Sequence, residues 1–586
     1  MDASSLTIKK IIQSDTILRI PYFQRRYVWN EEDWERFAQD MEDTLDAITS
    51  YFLGAIILKN ETTTPEDKKL GIGKRQLVVD GQQRLTTLAI YMKLLYMMTG
   101  QNDKFENQYL QSTPSKEPVI IHNCDDKPLF TKIMHLSTPQ DLPDEGRIAE
   151  AYNYFHKFLD ERKKDGVNLH ELLNMVNSSV NFVVIELDSD DDEQQIFDTI
   201  NSLGVPLRTD ELLKNFLYEA KDEQAYLNNW RKVFDVDDAS KFWETDAAKS
   251  RQEKSKKNIT IERFFHAFVR IKMWDFKDNL SDSQRKSFVK MENTFATCKS
   301  FCNDFGVDKQ ALANEIIEYA KLFKEHLSDS VLDIRVPQHA GIKRLACFIN
   351  ATKTYTAIPY VLYILHNVKS EAERNNIFGY LESYLVRRAI CKTSNNNYSD
   401  LFSENLIGGR KNTLDSLKEY IEGRVGSLEM PTAAKVVYAL SNSKMDEQTA
   451  RIIYYLYETK LTKTSENIFM ESYNTCLAEQ FMPKSCTAAD VNWPKRADKD
   501  EEVNRQELIN TLGNYFLLRV DDNEKAIKKA HNEGFAKKLT SMIGWCKGVR
   551  SCQQLDPKML SSWQEKDINS RNNTFAKIIN ENIWTV

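Results

Sequence analysis

No apolar run in the 586 residues approaches the roughly 20 that span a bilayer, which excludes a transmembrane helix. The segment Met1 to Ile12 lacks the apolar core and small-residue cleavage site of a signal peptide, so a cytoplasmic location is expected. Nine cysteines at this length make no disulfide framework. Cys298 and Cys302 stand four apart, but no second Cys/His pair follows at zinc spacing, and both read as ordinary helix residues. An excess of basic residues is missing too. The formal net charge of −7 argues against a protein that coats nucleic acid nonspecifically, while leaving room for a local basic groove. No internal repeat is evident from about 225 to 470. What remains is ordinary for a folded, water-exposed chain: 41% hydrophobic and 28% charged residues, with a mean hydropathy of −0.53. The length is too great for one core, and two to four domains are expected on the scale of about 100–200 residues each.

One stretch organises the chain: Leu77-Val78-Val79-Asp80-Gly81-Gln82-Gln83-Arg84-Leu85. An apolar strand meets a short polar turn, and Leu85, Leu88, Met92 and Leu95 then recur at helical spacing. Gly81 permits the turn because it lacks a Cβ. The unpaired N–H groups of the helix start, with Gln82, Gln83 and Arg84, would stand at the end of the strand, where an anion is favoured. A buried strand–helix corner with Arg84 in a structural ion pair is the alternative.

Upstream, Ile20-Pro21-Tyr22-Phe23-Gln24-Arg25-Arg26-Tyr27-Val28-Trp29-Asn30 interleaves aromatics with two arginines. Such a pattern binds phosphate and stacks on bases, or it fills a core with its arginines paired to acids; both readings stand. Asn30 is placed to cap a helix whose first turn is Glu31-Glu32-Asp33. Tyr51 to Leu58 reads as a buried strand and Gln76 to Val79 as its neighbour, separated by the polar loop Asn60 to Lys69. Val180 to Leu187 is a further strand, and the acidic cluster Asp188 to Asp192 reads as a helix cap rather than a metal site. Leu203-Gly204 and Pro206 end a helix, and Thr209 caps the next one, through Leu212, Leu213, Phe216 and Leu217. From about 225 to 470 the pattern is mainly helical and includes the pair Arg387-Arg388, followed by Asn397-Tyr398. The last part is mixed, with Glu479-Gln480-Phe481-Met482-Pro483, Trp493, and Leu512-Gly513-Asn514 entering a strand. A lysine-rich helix with Lys525, Lys528, Lys529, Lys537 and Lys538 follows.

In this order the motifs resemble the GmrSD-type, modification-dependent (type IV) restriction proteins. The likeness is carried by Ile20-Pro21 to Trp29, Phe52-Leu53-Gly54, Asp80 to Leu85, Phe197 to Asn201, Gly204, Pro206-Leu207, Glu211 to Asn215, Val386-Arg387-Arg388 and Asn397-Tyr398. It implies an α+β chain in three parts. Residues 1–225 would be a ParB/sulfiredoxin-like nucleotide-binding and DNA-sensing domain. A helical domain would cover 226–425, and a mixed α/β His-Me-finger (HNH-like) nuclease domain 426–586. The implied activity is phage defence: sensing modified DNA, hydrolysing GTP, UTP or ATP, and cleaving or nicking DNA with Mg²⁺ or another divalent cation. Nucleotide binding would fall to Asp80, Gly81, Gln82, Gln83 and Arg84 with Gln24 and Arg25, and DNA contact to Arg26, Tyr27, Trp29, Arg387 and Arg388. A partner subunit or homo-oligomer is expected, and no membrane.

At the C-terminal end the resemblance places Glu479, Gln480, Asn514, Asn523 and Lys538 in the catalytic set, with Asn514 and Asn523 as metal ligands; Pro483, Trp493 and Phe535 fit as well. One position departs. The family pattern is Glu-His-Ile-x-Pro, and this chain carries Gln480 where the histidine stands. An imidazole takes a proton from water, whereas an amide cannot at neutral pH. His531, the single histidine of the C-terminal part, is a weak substitute. Three outcomes stay open: a nuclease with another base, a domain that only binds DNA, or an altered catalytic residue. The non-cutting reading would make the chain a sensor that recruits a separate nuclease.

Overall fold

The computed structural model describes residues 2–22, 24–47, 50–143, 146–188, 208–218, 222–245, 260–339, 341–461, 471–484, 493, 498–520, 527, 533–546, 549–552 and 562–585. They form two compact units, Met1–Lys232 and Val233–Val586.

Unit one is built on six strands: β1 (Asp2–Thr7), β2 (Thr16–Arg19), β3 (Tyr51–Glu61), β4 (Lys74–Asp80), β5 (Ile120–Ile121) and β6 (Val180–Leu187). Their spatial order is β1-β6-β3-β4-β2-β5. The sheet is mixed: β3 pairs antiparallel with β4 and parallel with β6, and β2 lies parallel to both β4 and β5. The strands expected at 51–58, 76–79 and 180–187 are all present, and the loop after β3 carries a short helix, Pro65–Lys69, boxed by Thr64.

Four helices of this unit matter here: α1 (Glu31–Ala47), α2 (Gln82–Met98), α3 (Arg147–Lys164) and α4 (Leu169–Ser179). Asn30 caps α1 by accepting from Glu32 N–H at 2.9 Å, as its residue type predicts. The helix α2 is not the one-sided element that its Leu85/Leu88/Met92/Leu95 spacing suggests. Every residue from Gln82 to Met97 except Arg84 is buried, because α2 packs on β3 along one flank and against α3 and α4 elsewhere. Even Lys93 is enclosed, donating to Asn102 Oδ1 at 2.8 Å and lying over the Phe105 ring. Burial pushes its pKa down to about 8.

In unit two the stretch expected to be mainly helical, about 225 to 470, is so in its described residues, the mixed last part contributes one strand pair, and Cys298 sits buried in a helix at Thr294–Asn303. Its elements used below are α5 (Thr260–Lys272), α6 (Lys309–His326), α7 (Gly341–Thr352), α8 (Glu371–Ile390), α9 (Glu447–Leu461), β7 (Cys476–Gln480), β8 (Tyr515–Arg519), α10 (Phe535–Trp545) and α11 (Glu565–Ile578). β7 and β8 form an antiparallel pair with Gln480 opposite Tyr515. Buried polar contacts bridge the division expected at 425/426: from α8, Arg387 donates to Pro431 O and to Trp584 O, both at 2.9 Å. Thr209 is the first residue of the helix Thr209–Leu217 and not its cap; Arg208 holds that place. Ser189 to Asp192 of the acidic cluster and the motif from Phe197 to Leu207 lie outside the described residues. Among the described residues no helix is long and apolar enough to cross a membrane.

Candidate nucleotide site and hairpin site

At the C-terminal end of β4 the chain must reverse into α2 within one residue. Gly81 makes that turn with φ of +94°, and a Cβ there would stand 2.4 Å from Ile56 Cγ2, so only glycine fits. The α2 N-terminus that results has no side-chain cap and no acidic residue in its first turn, leaving its N–H groups and the positive end of the helix dipole uncompensated. Arg84 is the one partly exposed side chain of that turn. Its Nη2 donates to Asp80 Oδ2 at 3.1 Å, both side chains retaining about a quarter of their exposure. The guanidinium lies against Gly54 of β3, where a Cβ would come within 2.7 Å of Nη1. A bulge between Phe52 and Gly54 marks this stretch of β3.

An extended strap, residues 24–29, crosses the start of α2. Gln82 Nε2 donates to Arg25 O and Gln83 Nε2 to Arg26 O, each at 3.1 Å, while Gln83 Oε1 accepts from Val28 N–H at 2.9 Å. Gln24 Nε2 donates to Val79 O at 3.2 Å. The two glutamine amides are therefore spent on the strap. They shape the site without facing it. Arg25 has its backbone carbonyl at this helix start, and Arg84, paired with Asp80, is the cation whose side chain stands there.

A second turn, unmarked by any motif, clamps the strap from the other side. Asn123 Nδ2 reaches Gln24 O and Arg25 O, Asp126 Oδ2 accepts from Tyr27 N–H at 2.8 Å, and Asp125 accepts from both Arg26 and Arg231. Burial raises the Asp126 carboxyl to about 6. Beside it, His122 Nε2 lies 3.0 Å from Thr86 Oγ1, and burial lowers its pKa to about 3. Its Nδ1 is 3.8 Å from Asp126, beyond hydrogen-bond reach, and the imidazole stays neutral. Sequence reasoning missed this cluster; the adjacent acids Asp125-Asp126 just after an apolar Ile120-Ile121 pair were the available signal.

Of the aromatic members of the strap, Tyr27 is core, which corrects its expected DNA role, and Trp29 is partly buried. Tyr27 is 3% exposed, accepts from Trp34 Nε1 at 2.8 Å and is bonded to Thr87 Oγ1 at 2.7 Å. Trp29 packs on the same core. Arg26 is half engaged with Asp125. Of the two readings left open for this stretch, core filling with paired arginines describes Tyr27 and Arg26.

Arg387 and Arg388 are likewise placed in the interior, not on a face open to DNA. Each is 1% exposed. Arg388 donates to Tyr398 Oη and Ser394 O, both at 2.7 Å, and lies over the Tyr384 and Tyr398 rings. On an α8 surrounded by other helices, these guanidiniums satisfy carbonyls that would otherwise be buried unpaired.

At the β7–β8 hairpin the structure brings Glu479, Gln480, Asn514 and Lys538 together. Gln480, 3% exposed, turns inward: Nε2 donates to Ile509 O and Tyr515 Oη, both at 3.1 Å. Asn514 is fully buried; Oδ1 accepts from Met482 N–H and Nδ2 donates to Met482 O and Ile509 O, all at 2.9 Å. Lys538 Nζ, enclosed, meets Glu479 Oε1 at 3.1 Å. Phe481, Trp493, Phe516, Phe535 and Trp563 pack edge to face beneath them. A hard divalent cation needs several free oxygens. Asn514 has none to offer as placed, so it does not fit the implied metal. Asn523, Lys525, Lys528, Lys529 and His531 lie outside the described residues. Among the described residues no three His, Cys, Asp or Glu side chains form a metal-binding group.

Comparison with known families now bears on both sites. The profile of the GmrSD restriction endonuclease N-terminal domain matches residues 8–218, which contain the strap, Gly54 and Asp80 to Arg84. The profile of the GmrSD restriction endonucleases' C-terminal domain matches 434–578, which contain the β7–β8 hairpin. The chain belongs to the GmrSD restriction endonuclease family. Its function is accordingly one of restriction in phage defence, its family one of nucleases acting on DNA, and its N-terminal α+β unit is of the ParB-like kind. A comparison with curated proteins finds no match.

Proposed function

We propose that this GmrSD-family chain binds and hydrolyses a nucleoside triphosphate at the start of α2 and couples that reaction to sensing modified DNA. The observation that supports it most is the uncapped α2 N-terminus with Arg84 as its single partly exposed side chain, held by Asp80 and seated on Gly54. Backbone N–H groups there would receive phosphate oxygens, and Arg84 and Arg25 would neutralise charge that grows as the terminal phosphoryl leaves. Asp80 orients Arg84. A divalent cation, when carried in with the nucleotide, would screen the same oxygens.

For the C-terminal part, the inward-turned Gln480 favours the reading in which this hairpin binds or braces DNA and a partner nuclease cuts. No group at Gln480 accepts a proton from water at neutral pH. The decisive experiment is one assay on modified and unmodified DNA with Mg²⁺ and each of ATP, GTP and UTP, run on the native chain, Arg84→Ala and Gln480→His. The expected outcome is nucleotide hydrolysis by the native chain, its loss in Arg84→Ala, and cleavage absent from the native chain alone. Unchanged turnover in Arg84→Ala would sink the nucleotide site. Robust cleavage by the native chain without a partner would overturn the non-cutting reading.

A further inference from the structure

Unit two contains a cavity of about 820 Å³ that none of the expected sites uses, between the start of α5, the end of α6, the turn after α7 and the first turn of α9. Its size lies within the roughly 300–1,000 Å³ of small-molecule sites. Its walls are planar. Arg263 lies 4.3 Å over the Tyr355 ring and Arg451 lies 4.0 Å over the Tyr473 ring, and Phe242 and Phe323 also belong to the lining. Both guanidiniums are only partly used: Arg263 donates to Thr260 Oγ1 at 3.1 Å and stands 3.9 Å from Asp329, and Arg451 donates to Tyr473 O at 2.6 Å. Arg263 Nε, Arg451 Nε and Asn350 Oδ1 are buried polar atoms without a hydrogen-bond partner among the described residues. All three belong to residues that line the cavity.

Charge selects the ligand class. The lining carries three cations, Arg263, Lys353 and Arg451, against four carboxylates, Asp329, Asp333, Asp446 and Glu447. Two of the acids have fixed structural duties: Asp446 caps α9 through Thr449, and Asp333 accepts from Asn474. A polyphosphate would meet the carboxylates at a cost, and a polycation would meet the guanidiniums. A neutral planar heterocycle suits both, because its amino groups donate to carboxylates and its ring nitrogens and carbonyls accept from guanidinium N–H. Stacking on aromatic and guanidinium planes adds affinity without reading the base's identity.

We propose that this cavity is a nucleobase site, taking a neutral purine or pyrimidine as a nucleoside or as a base turned out of DNA. It is separate from the triphosphate reading of unit one and stands whether or not that reading does. The probe is 2-aminopurine riboside, whose fluorescence is quenched on stacking, titrated into the full chain. Saturable quenching is expected, unaffected by excess ATP, retained in Tyr355→Phe, and weakened at least about tenfold in Tyr355→Leu and in Lys353→Ala. A second arm uses duplexes carrying 2-aminopurine. If DNA competes with the riboside, the base comes from DNA; if it does not, the free nucleoside is the ligand. Absent quenching, displacement by ATP, or undiminished binding in both Tyr355→Leu and Lys353→Ala with thermal melts like the native chain's would overturn the proposal. Lys353 is solvent-exposed, so its variant keeps the test meaningful should a Tyr355 variant unfold.

Discussion

Gly81 and Arg84 show how little freedom the corner between β4 and α2 has at the scale of single residues. A left-handed backbone costs a non-glycine residue roughly 1–2 kcal/mol, and at Gly81 the added methyl would also overlap Ile56. Gly81→Ala is therefore expected to lower the stability of unit one by at least about 2 kcal/mol, read as a shift of its transition in urea. An unshifted midpoint would mean that α2 can start elsewhere. The same scale explains an error of reading. Arg26 and Arg25 are neighbours of one type, yet Asp125 engages the first and not the second. Composition cannot distinguish them, since the acid that decides is 99 residues away.

Between elements, the clamp on the strap carries a pH signature. His122 is held neutral with a pKa near 3, below the 6.5 of the unfolded chain. Below pH 6.5 the unfolded histidine takes a proton that the folded one refuses, so its contribution is complete above 6.5 and lost as pH falls toward 3. Asp126, raised from 3.8 to about 6, works in the opposite sense over its own window: its penalty is present above pH 6 and disappears as pH falls toward 3.8. Comparison with His122→Gln removes the histidine while leaving Asp126 in both proteins. The stability of the native chain relative to that variant is expected to fall by up to about 1.4 kcal/mol per pH unit below 6.5, measured by denaturant titration across pH 7 to 4.5. A difference independent of pH would show that the imidazole titrates in the fold.

Taking the whole molecule, the last residues close unit two from within. Trp584 is fully buried; Nε1 donates to Glu382 Oε1 at 2.8 Å and its carbonyl accepts from Arg387. Glu382 is also paired with Arg344 at 2.7 Å. Burial alone would raise the Glu382 carboxyl, but the Arg344 guanidinium overrides it and holds the group below its usual range. Trp584→Ala would leave a cavity beside a buried ion pair and is expected to cost about 3–5 kcal/mol. Chemical unfolding should register the loss in the unit-two transition while leaving that of unit one in place. Equal loss in both would mean that the units unfold as one.

Legibility followed the range of the forces involved. The strands at 51–58, 76–79 and 180–187, the Asp80-Gly81 turn, the start of α2 and the mainly helical stretch from about 225 to 470 were readable from the chain alone, because apolar period, glycine and capping act over a few residues. So was the order of motifs that relates the chain to its family. The tertiary structure alone decided which side chains remain available for chemistry. It consumed Gln82 and Gln83 on the strap, sank Tyr27 in the core, and enclosed Arg387 and Arg388 in the helical unit. It also turned Gln480 and Asn514 inward and recruited Asn123, Asp125 and Asp126 unannounced. A polar side chain's role depends on which distant donor or acceptor the fold brings to it and on whether water can still reach it, and neither is encoded in its near neighbours.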